Sequence, residues 1–246
     1  MNEKIMIYAT GRTGSNYLHN TIYNNMDVDY FTCPINNDRT KQLFKSGVDI
    51  ESRLESHIAA IESQSRHIVW KTHPNQLANH KLLSDYYPYI ERFCQIPTYV
   101  IGLTRKDLIQ STMSRIIART TDTWTPPYNT NKISVLPLKV EHFCQFTLHR
   151  SLYEFARNRH NLKVNTMIYY EDLQFNDTDI TLLGLDHIAP TNQDTVKIIH
   201  EKTPDKKAIV DNYNQVEDMV SEYYRDVSLD WINISDGKIT DIELKF

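Results

Sequence analysis

A glycine-containing turn near the start of the chain combines a flexible backbone with several hydrogen-bond donors. The apolar run Ile5–Ala9 leads into the segment TGRTGSN at residues 10–16, which holds two of the chain's 6 glycines. Glycine lets a backbone turn tightly and approach a ligand closely. A helix that begins after such a turn offers N–H groups and the positive end of its dipole. The segment is therefore predicted to bind a phosphate group.

The turn departs from the standard nucleotide-binding loops. The triphosphate-binding loop has the pattern G-x-x-x-x-G-K-[ST], whereas Gly11 and Gly14 are three residues apart and Ser15 follows the second glycine. The patterns G-x-G-x-x-G and G-x-S-x-G do not fit either. We expect a phosphate site without a standard triphosphate loop, and a plain strand-to-helix turn is the alternative interpretation.

A lysine and a histidine follow a second apolar run. Lys71 and His73 in the segment WKTHPN are two residues apart, so in an extended chain their side chains point to the same side. Histidine can take a proton from a hydroxyl group near neutral pH. The pair therefore predicts acid–base chemistry beside a positive charge. The alternative is that His73 only caps the strand before Pro74.

An arginine at a strand end precedes a helix that carries two serines. Arg105 is followed by Asp107, which is expected to cap the helix, and then by Ser111 and Ser114. Arginine matches phosphate oxygens bidentately, so Arg105 and one of the serines predict a second anion site. The alternative is a solvated helix face that also carries Arg115.

Two other charged segments are interpreted more simply. Glu171 and Asp172 are expected to cap and position a turn, although paired carboxylates can also serve as acid and base. Lys202, Lys206 and Lys207 precede a predicted helix. They are either the exposed start of that helix or a cluster that approaches an anion.

The elements that must position these residues alternate between strand and helix. This alternation predicts an α/β fold with three layers, a mostly parallel central sheet flanked by helices, in one domain over residues 1–246. Ligands of such sheets bind at the carboxyl ends of the strands. The predicted strands are Lys4–Thr10, Val28–Cys33, His67–Thr72, Thr98–Thr104 and Val164–Tyr170. The predicted helices are Ser15–Asn25 with Ser15 as N-cap, Ile50–Ser63, Asn75–Tyr86, Lys106–Arg119, Leu138–Arg159, Asn192–Lys202 and Tyr213–Asp226.

Composition and charge exclude several classes of function. The net charge of −4 does not provide a general basic field for nucleic acid, although a local basic pocket is compatible with it. No apolar run approaches the ~20 residues of a membrane helix, and the first residues do not form a signal peptide. The 3 cysteines are widely spaced and form no metal-finger pattern. We expect a cytoplasmic protein with reduced thiols, without a metal, nucleic-acid or membrane partner.

Taken together, the segments resemble the sulfotransferases that use 3′-phosphoadenosine 5′-phosphosulfate (PAPS). YATGRTGSNYL resembles the 5′-phosphosulfate loop of that family, and WKTHP resembles the Lys-Thr-His segment of its cytosolic branch. VIGLTRKDLIQSTMS resembles the 3′-phosphate motif, and IYYEDL a recurring family segment. DNY in the last predicted helix is similar to bacterial members related to trehalose sulfotransferases. These matches arrive in the family's order and run from Tyr8 to Tyr213.

The resemblance implies a P-loop NTPase-like fold and transfer of a sulfuryl group from PAPS. The acceptor would be a hydroxyl or amine of a small molecule or carbohydrate, and no metal is implied. By the same resemblance His73 would be the general base, Lys71 would stabilise the transferring group and Arg12 would bind its charge. The residues implied to bind PAPS are Arg12, Thr13, Gly14, Ser15, Asn16 and Arg105, with Ser111 or Ser114.

The chain departs from the cytosolic branch in three places. Arg12 stands where that branch has lysine, and because arginine stays protonated, Lys71 is the candidate to protonate the leaving group. Ser111 fits the cytosolic spacing, whereas Ser114 fits the bacterial spacing. The glycine-rich C-terminal loop of the cytosolic branch is missing, and TPDKK at residues 203–207 is its candidate replacement.

Two other functions and one acceptor hypothesis stay open at this point. A kinase on a related fold would depend on a nucleoside triphosphate and magnesium. A non-catalytic module would bind an anion or nucleotide without transferring a group. The segment of residues 120–137, with Trp124 and Tyr128, is a candidate lining of the acceptor pocket, and a packing flap is the alternative.

Overall fold

Five parallel strands form the central sheet of the protein. They are β1 Lys4–Ala9, β2 Asp29–Tyr30, β3 Ile68–Thr72, β4 Tyr99–Thr104 and β5 Thr166–Tyr169. The order across the sheet is β2-β3-β1-β4-β5, and every neighbouring pair is parallel. The computed structural model describes residues 2–31, 49–77, 87–122, 132–173, 180–190 and 205–242, apart from 226 and 228. The predicted α/β fold with a parallel central sheet is confirmed.

Helices flank this sheet, and a hairpin follows the last of them. The helices are α1 Ser15–Asn25, α2 Ile50–Glu62, α3 Pro74–Leu77, α4 Tyr87–Gln95, α5 Leu108–Thr121, α6 Pro137–Gln145, α7 Tyr153–Asn161, α8 Lys206–Ile209 and α9 Tyr213–Arg225. A π-helical segment, Phe146–Leu152, joins α6 to α7, and the antiparallel hairpin consists of β6 Ile232–Ser235 and β7 Lys238–Ile242. None of the helices in the described ranges is long and apolar enough to cross a membrane.

Alternate side chains of β1 enter two separate apolar cores. The strand is a continuous apolar run because both faces of a parallel sheet are covered by helices. Ile7 is fully buried with Leu18 of α1 on one face. Tyr8 is fully buried on the other face, where its ring stacks on Phe155 of α7 with 4.9 Å between the ring centroids. Helices therefore cover both faces of the central strand.

A third apolar core lies among the later helices and the hairpin. It joins α5, α6, the π segment and α9 with side chains from β6 and β7. Within it the hydroxyls of Thr112 and Tyr224, both buried, lie 2.7 Å apart and share a hydrogen bond. These elements differ from the prediction, which has one long helix over Leu138–Arg159 and no C-terminal hairpin. The π segment adds a residue per turn, which places its side chains differently from a regular α-helix.

The first helix begins differently from the prediction. Ser15 was expected to be the N-cap, but it is the first helical residue and is buried. The N-cap is Gly14, whose φ of 72° lies in the left-handed region that glycine adopts without a side-chain penalty. The N-cap position therefore contributes no side-chain hydrogen bond to the first turn.

Some predicted segments fall outside the described residues. These are the part of the predicted helix Asn75–Tyr86 beyond Leu77, the predicted helix Asn192–Lys202, and the end of the predicted strand that contains Cys33. The other predicted strands are confirmed within one or two residues at each end. Helix bounds agree similarly for α1, α2 and α9.

We predict that removing the cap of α5 destabilises the protein. Asp107 has an extended backbone and its carboxylate accepts a hydrogen bond from the Gln110 N–H at 2.8 Å, as the sequence analysis expected. Replacement of Asp107 by alanine should lower the free energy of unfolding by about 1 kcal/mol. Asp107→Asn retains a capping oxygen, so its free energy of unfolding should fall much less. Urea unfolding of both variants measures the difference, and equal values would show that the cap contributes nothing.

Candidate anion-binding site

The turn after β1 is held by hydrogen bonds of its own threonines. The Thr13 hydroxyl is fully buried and donates to the Thr10 carbonyl at 2.6 Å. The Thr10 hydroxyl lies 3.1 Å from that of Thr104 at the end of β4, and the Thr10 N–H donates to the Leu103 carbonyl at 3.0 Å. The Thr13 side chain therefore braces the turn, and what it can offer to an anion is its backbone N–H.

The two glycines of the turn are needed for different physical reasons. Gly14 has a positive φ, and a Cβ atom there would lie 3.2 Å from Cδ2 of Tyr170. At Gly11 a Cβ atom would lie 3.0 Å from Nη2 of Arg115, so the missing side chain leaves room for a guanidinium group. Between them Arg12 also has a left-handed backbone, with φ of 68°. That conformation costs a non-glycine residue roughly 1–2 kcal/mol, and such strain clusters at functional sites.

Lys71 meets the first helix at the carboxyl end of β3. Its Nζ donates a hydrogen bond to Oδ1 of Asn16, which is exposed in the first turn of α1. Since β1 and β3 are neighbours with Tyr8 opposite Thr72, the ends of the two strands lie side by side. The structure therefore brings Lys71 and the turn after β1 together, as their positions after two strands predicted.

His73 is oriented by the last residue of β1. Its Nδ1 lies 2.7 Å from the Ala9 carbonyl oxygen, and a carbonyl only accepts, so Nδ1 carries the proton. The lone pair of the neutral ring is then on Nε2. The His73 backbone N–H donates to Oε1 of Gln76 at 2.7 Å, which ties the same residue to α3. A histidine held this way keeps Nε2 as its proton-accepting nitrogen.

The pKa of His73 is far below its ordinary value. Its pKa is lowered to about 4, chiefly by burial and also by the nearby positive charges of Lys71 and Arg115, against the opposing effect of the Ala9 hydrogen bond. His73 is therefore neutral at pH 7. A bound anion would offset the two positive charges and raise the pKa of His73 towards neutrality.

Arg105 lies at the end of β4 and is held by residues that follow β5. Its Nε is 3.4 Å from Oε1 of Glu171, and its guanidinium carbon is 4.4 Å from the ring centroid of Tyr170. The Glu171 carboxylate also accepts from the backbone N–H groups of Lys106 and Asp107, at 2.9 and 3.0 Å. Glu171 thus positions the β4–α5 turn, as the sequence analysis preferred.

The two candidate serines of α5 are both buried, at 5% exposure for Ser111 and 8% for Ser114. The solvated-face interpretation is therefore wrong for these residues. Arg12 donates from Nε to the Ser114 hydroxyl at 3.4 Å, which connects α5 to the turn after β1. The backbone N–H of Ser111 donates to the Asp107 carbonyl in the first turn of the helix. Ser114 is the serine that the described contacts place against the turn.

Lys206 joins the site from a distant part of the chain. Its Nζ donates to Oε1 of Gln110 at 2.8 Å, on the helix that follows Arg105. The pKa of Lys206 is lowered to about 8, chiefly by burial and also by the charges of Arg105 and Arg12. Lys206 belongs to the lysine cluster and to the TPDKK segment that were candidates to approach an anion, but it was not singled out from the other lysines there. The signal in the sequence was a lysine cluster after a proline, which is too common to locate a ligand.

Positive charge is therefore concentrated at the carboxyl end of the sheet. Among the described residues, no group of three or more histidines, cysteines or carboxylates could hold a metal ion. Trp124, Tyr128 and Lys202 lie outside the described ranges.

No protein-family model matches the chain, and no curated protein matches it. The site is thus defined by its own geometry: an oriented neutral histidine, a glycine-containing turn and a set of cations.

We predict that His19 and His73 make the protein less stable in acid. Burial lowers the pKa of His19 to about 4, as it does for His73, and below pH 6.5 the unfolded chain takes up protons that the folded chain does not. The free energy of unfolding should therefore fall between pH 6.5 and 4, by at most about 1.4 kcal/mol per pH unit for each histidine.

Urea unfolding at pH 7 and pH 5 checks this prediction. His19→Gln and His73→Gln should each reduce the loss of stability between the two pH values. His149 is exposed on the π segment, and His149→Gln is the matched control that should leave the loss unchanged. An equal loss in all four proteins would contradict the linkage.

Proposed function

We propose that the protein is a PAPS-dependent sulfotransferase, which transfers a sulfuryl group to a hydroxyl or amine of a small-molecule or carbohydrate acceptor. One observation carries the proposal: the turn after β1, Lys71 and His73 meet through the Asn16–Lys71 and Ala9–His73 hydrogen bonds. A phosphate-type turn, a cation and an oriented base at one point are the groups that sulfuryl transfer needs. The resemblance of the motifs supports the same reaction independently of the geometry.

Two groups of cations in the site suit the two anionic ends of PAPS. The first turn of α1, Arg12 and Lys71 would hold the 5′-phosphosulfate, because helix N–H groups and cations bind such oxyanions. Arg105 and Lys206 are close enough for their charges to interact, and they would hold the 3′-phosphate with Ser114. These assignments use residues that the resemblance implied, together with Lys206 from the TPDKK segment that was the candidate replacement of the family's C-terminal loop.

His73 would act as the general base in this reaction. PAPS supplies an activated sulfuryl group when it is bound. A bond forms between the acceptor oxygen and sulfur, the bond from sulfur to the 5′-phosphate oxygen breaks, and the acceptor proton passes to Nε2 of His73. The products are the sulfated acceptor and adenosine 3′,5′-bisphosphate. Lys71 and Arg12 stabilise the charge that develops on the leaving phosphate, the main contribution in such transfers.

The proposal includes the kind of fold and the compartment. A phosphate-binding turn directly after the central strand of a parallel sheet is the arrangement of P-loop proteins, and this supports a P-loop NTPase-like fold without the triphosphate motif. The described cysteines, Cys94 and Cys144, are free thiols. Free thiols suit a reducing compartment, so a cytoplasmic location is part of the proposal.

We predict that adenosine 3′,5′-bisphosphate binds tightly and that ATP with magnesium does not. In calorimetric titrations, Arg105→Met and Lys206→Met should each weaken binding of the bisphosphate by about tenfold to a hundredfold, the usual effect of losing a charged hydrogen bond. Lys207 is exposed beside Lys206, and Lys207→Met is the matched control. Because the pKa of Lys206 is about 8, wild-type affinity should fall above pH 8, and less so in Lys206→Met.

The same titrations decide between the open alternatives. Binding of ATP with magnesium in place of the bisphosphate would favour the kinase. Binding of the bisphosphate without consumption of labelled PAPS, over a broad panel of hydroxyl and amine acceptors, would favour the non-catalytic module. Binding of neither nucleotide would reject the proposal.

We predict that His73→Ala lowers turnover of labelled PAPS by roughly 10²–10⁴, the usual contribution of a general base. The assay uses the first acceptor found active in the panel. Affinity for adenosine 3′,5′-bisphosphate should stay nearly the same, because the described contacts of His73 are with the Ala9 carbonyl and Gln76 and not with residues proposed to hold either phosphate. His149→Ala serves as the exposed control. Undiminished turnover would remove His73 from the mechanism.

A further inference from the structure

Arg115 is a buried cation that the proposed donor-binding residues leave unexplained. It lies on α5 directly after Ser114 and is only 8% exposed. Its Nη2 makes two long contacts of 3.4 Å each, to the Gly11 carbonyl and to the Ser151 hydroxyl. Its guanidinium carbon lies 4.9 Å from the ring centroid of Phe146. Its Nε has no hydrogen-bond partner within the part of the chain that the structure describes.

No acid within the described ranges forms an ion pair with Arg115. Burial and, to a smaller extent, the charge of Arg12 lower the pKa of Arg115 to about 10, and the group stays protonated at neutral pH. An unpaired buried cation is strongly unfavourable unless another group compensates it. A compensating anion from a ligand would remove that cost.

Arg115 packs against the turn after β1, and its charge acts on His73. The missing Cβ of Gly11 leaves the space that its guanidinium approaches. Its charge is one of the causes that lower the pKa of His73, so the two side chains share one electrostatic environment. On the far side, both Phe146 and Ser151 belong to the π segment Phe146–Leu152, and π segments often occur at functional sites.

We infer that Arg115 is a further anion-binding residue, which receives an oxyanion group between the Gly11 turn and His73. The inference rests on the proposed function for its chemistry, since that function places a reacting centre there. Two sources supply such a group: the terminal sulfuryl of PAPS, or a carboxylate, sulfate or phosphate substituent of the acceptor. The second source would make the acceptor an anionic compound. The guanidinium binds either one through the same charge-assisted hydrogen bonds.

The test compares Arg115→Met with wild type by calorimetry at constant ionic strength. Inorganic sulfate is titrated into protein saturated with adenosine 3′,5′-bisphosphate, and the affinities for the bisphosphate and for PAPS are measured separately. Arg119→Met is the matched control, because Arg119 is exposed one turn later on the same helix. Arg115→Gln replaces Arg115→Met if the methionine variant does not fold.

We expect Arg115→Met to weaken sulfate binding to the bisphosphate complex by at least about tenfold, with bisphosphate affinity within about twofold of wild type. The melting temperature should be unchanged or higher, since an unpaired buried charge has been replaced by an apolar chain. If PAPS affinity falls as well, the bound group is the sulfuryl of the donor. If PAPS affinity is unchanged and sulfate binding to the PAPS complex is lost, the group belongs to the acceptor.

Two outcomes would overturn the inference. One is unchanged binding of sulfate and PAPS in Arg115→Met, and the other is a fall of melting temperature and bisphosphate affinity together, which indicates a structural role. If wild type fails to bind the bisphosphate at all, the proposed function is wrong. In that case sulfate titration of the unliganded protein still tests Arg115, and equal affinity in wild type and Arg115→Met would reject it.

Discussion

Parallel pairing of β1 with β3 and β4 is the constraint on which the site depends. The register places Tyr8 opposite Thr72 and Ala9 opposite Leu103, so the three strands end at the same edge of the sheet. The turn after β1, the Lys71–His73 segment and Arg105 all start from these ends. A slip of one residue would exchange the two faces of β1 and bury the wrong side chains, which the two apolar cores prevent. The hydrophobic packing of the sheet thereby positions the polar groups at the strand ends.

The site gathers more positive than negative charge, and this imbalance links its parts. Glu171 is close to Arg105, but the same carboxylate also accepts two backbone hydrogen bonds. Arg12 lowers the pKa of both Arg115 and Lys206, which are far apart in sequence. Each cation therefore makes the charged forms of its neighbours less favourable. A bound polyanion would stabilise all of these charged forms together.

Local sequence patterns predicted much of the framework, because they act through neighbouring residues. The apolar run of β1, the capping carboxylate of Asp107 and the glycines before α1 each express a preference within a few residues. They could not show that Tyr170 lies against position 14, because that contact joins residues far apart in the sequence. Nor could they reveal the π segment or the C-terminal hairpin, whose side chains belong to a core assembled from distant helices.

By itself the sequence determined the α/β alternation and the chemical types at the strand ends: a glycine turn, a lysine with a histidine, and an arginine before a serine helix. Only the tertiary structure decided how these groups are used. It oriented His73 through the Ala9 carbonyl, buried Arg115 beside Gly11, and brought Lys206 to Gln110 across 96 positions of sequence. The physical reason is that burial, charge and hydrogen-bond partners are properties of neighbours in space, and no local pattern specifies which distant residues those neighbours are.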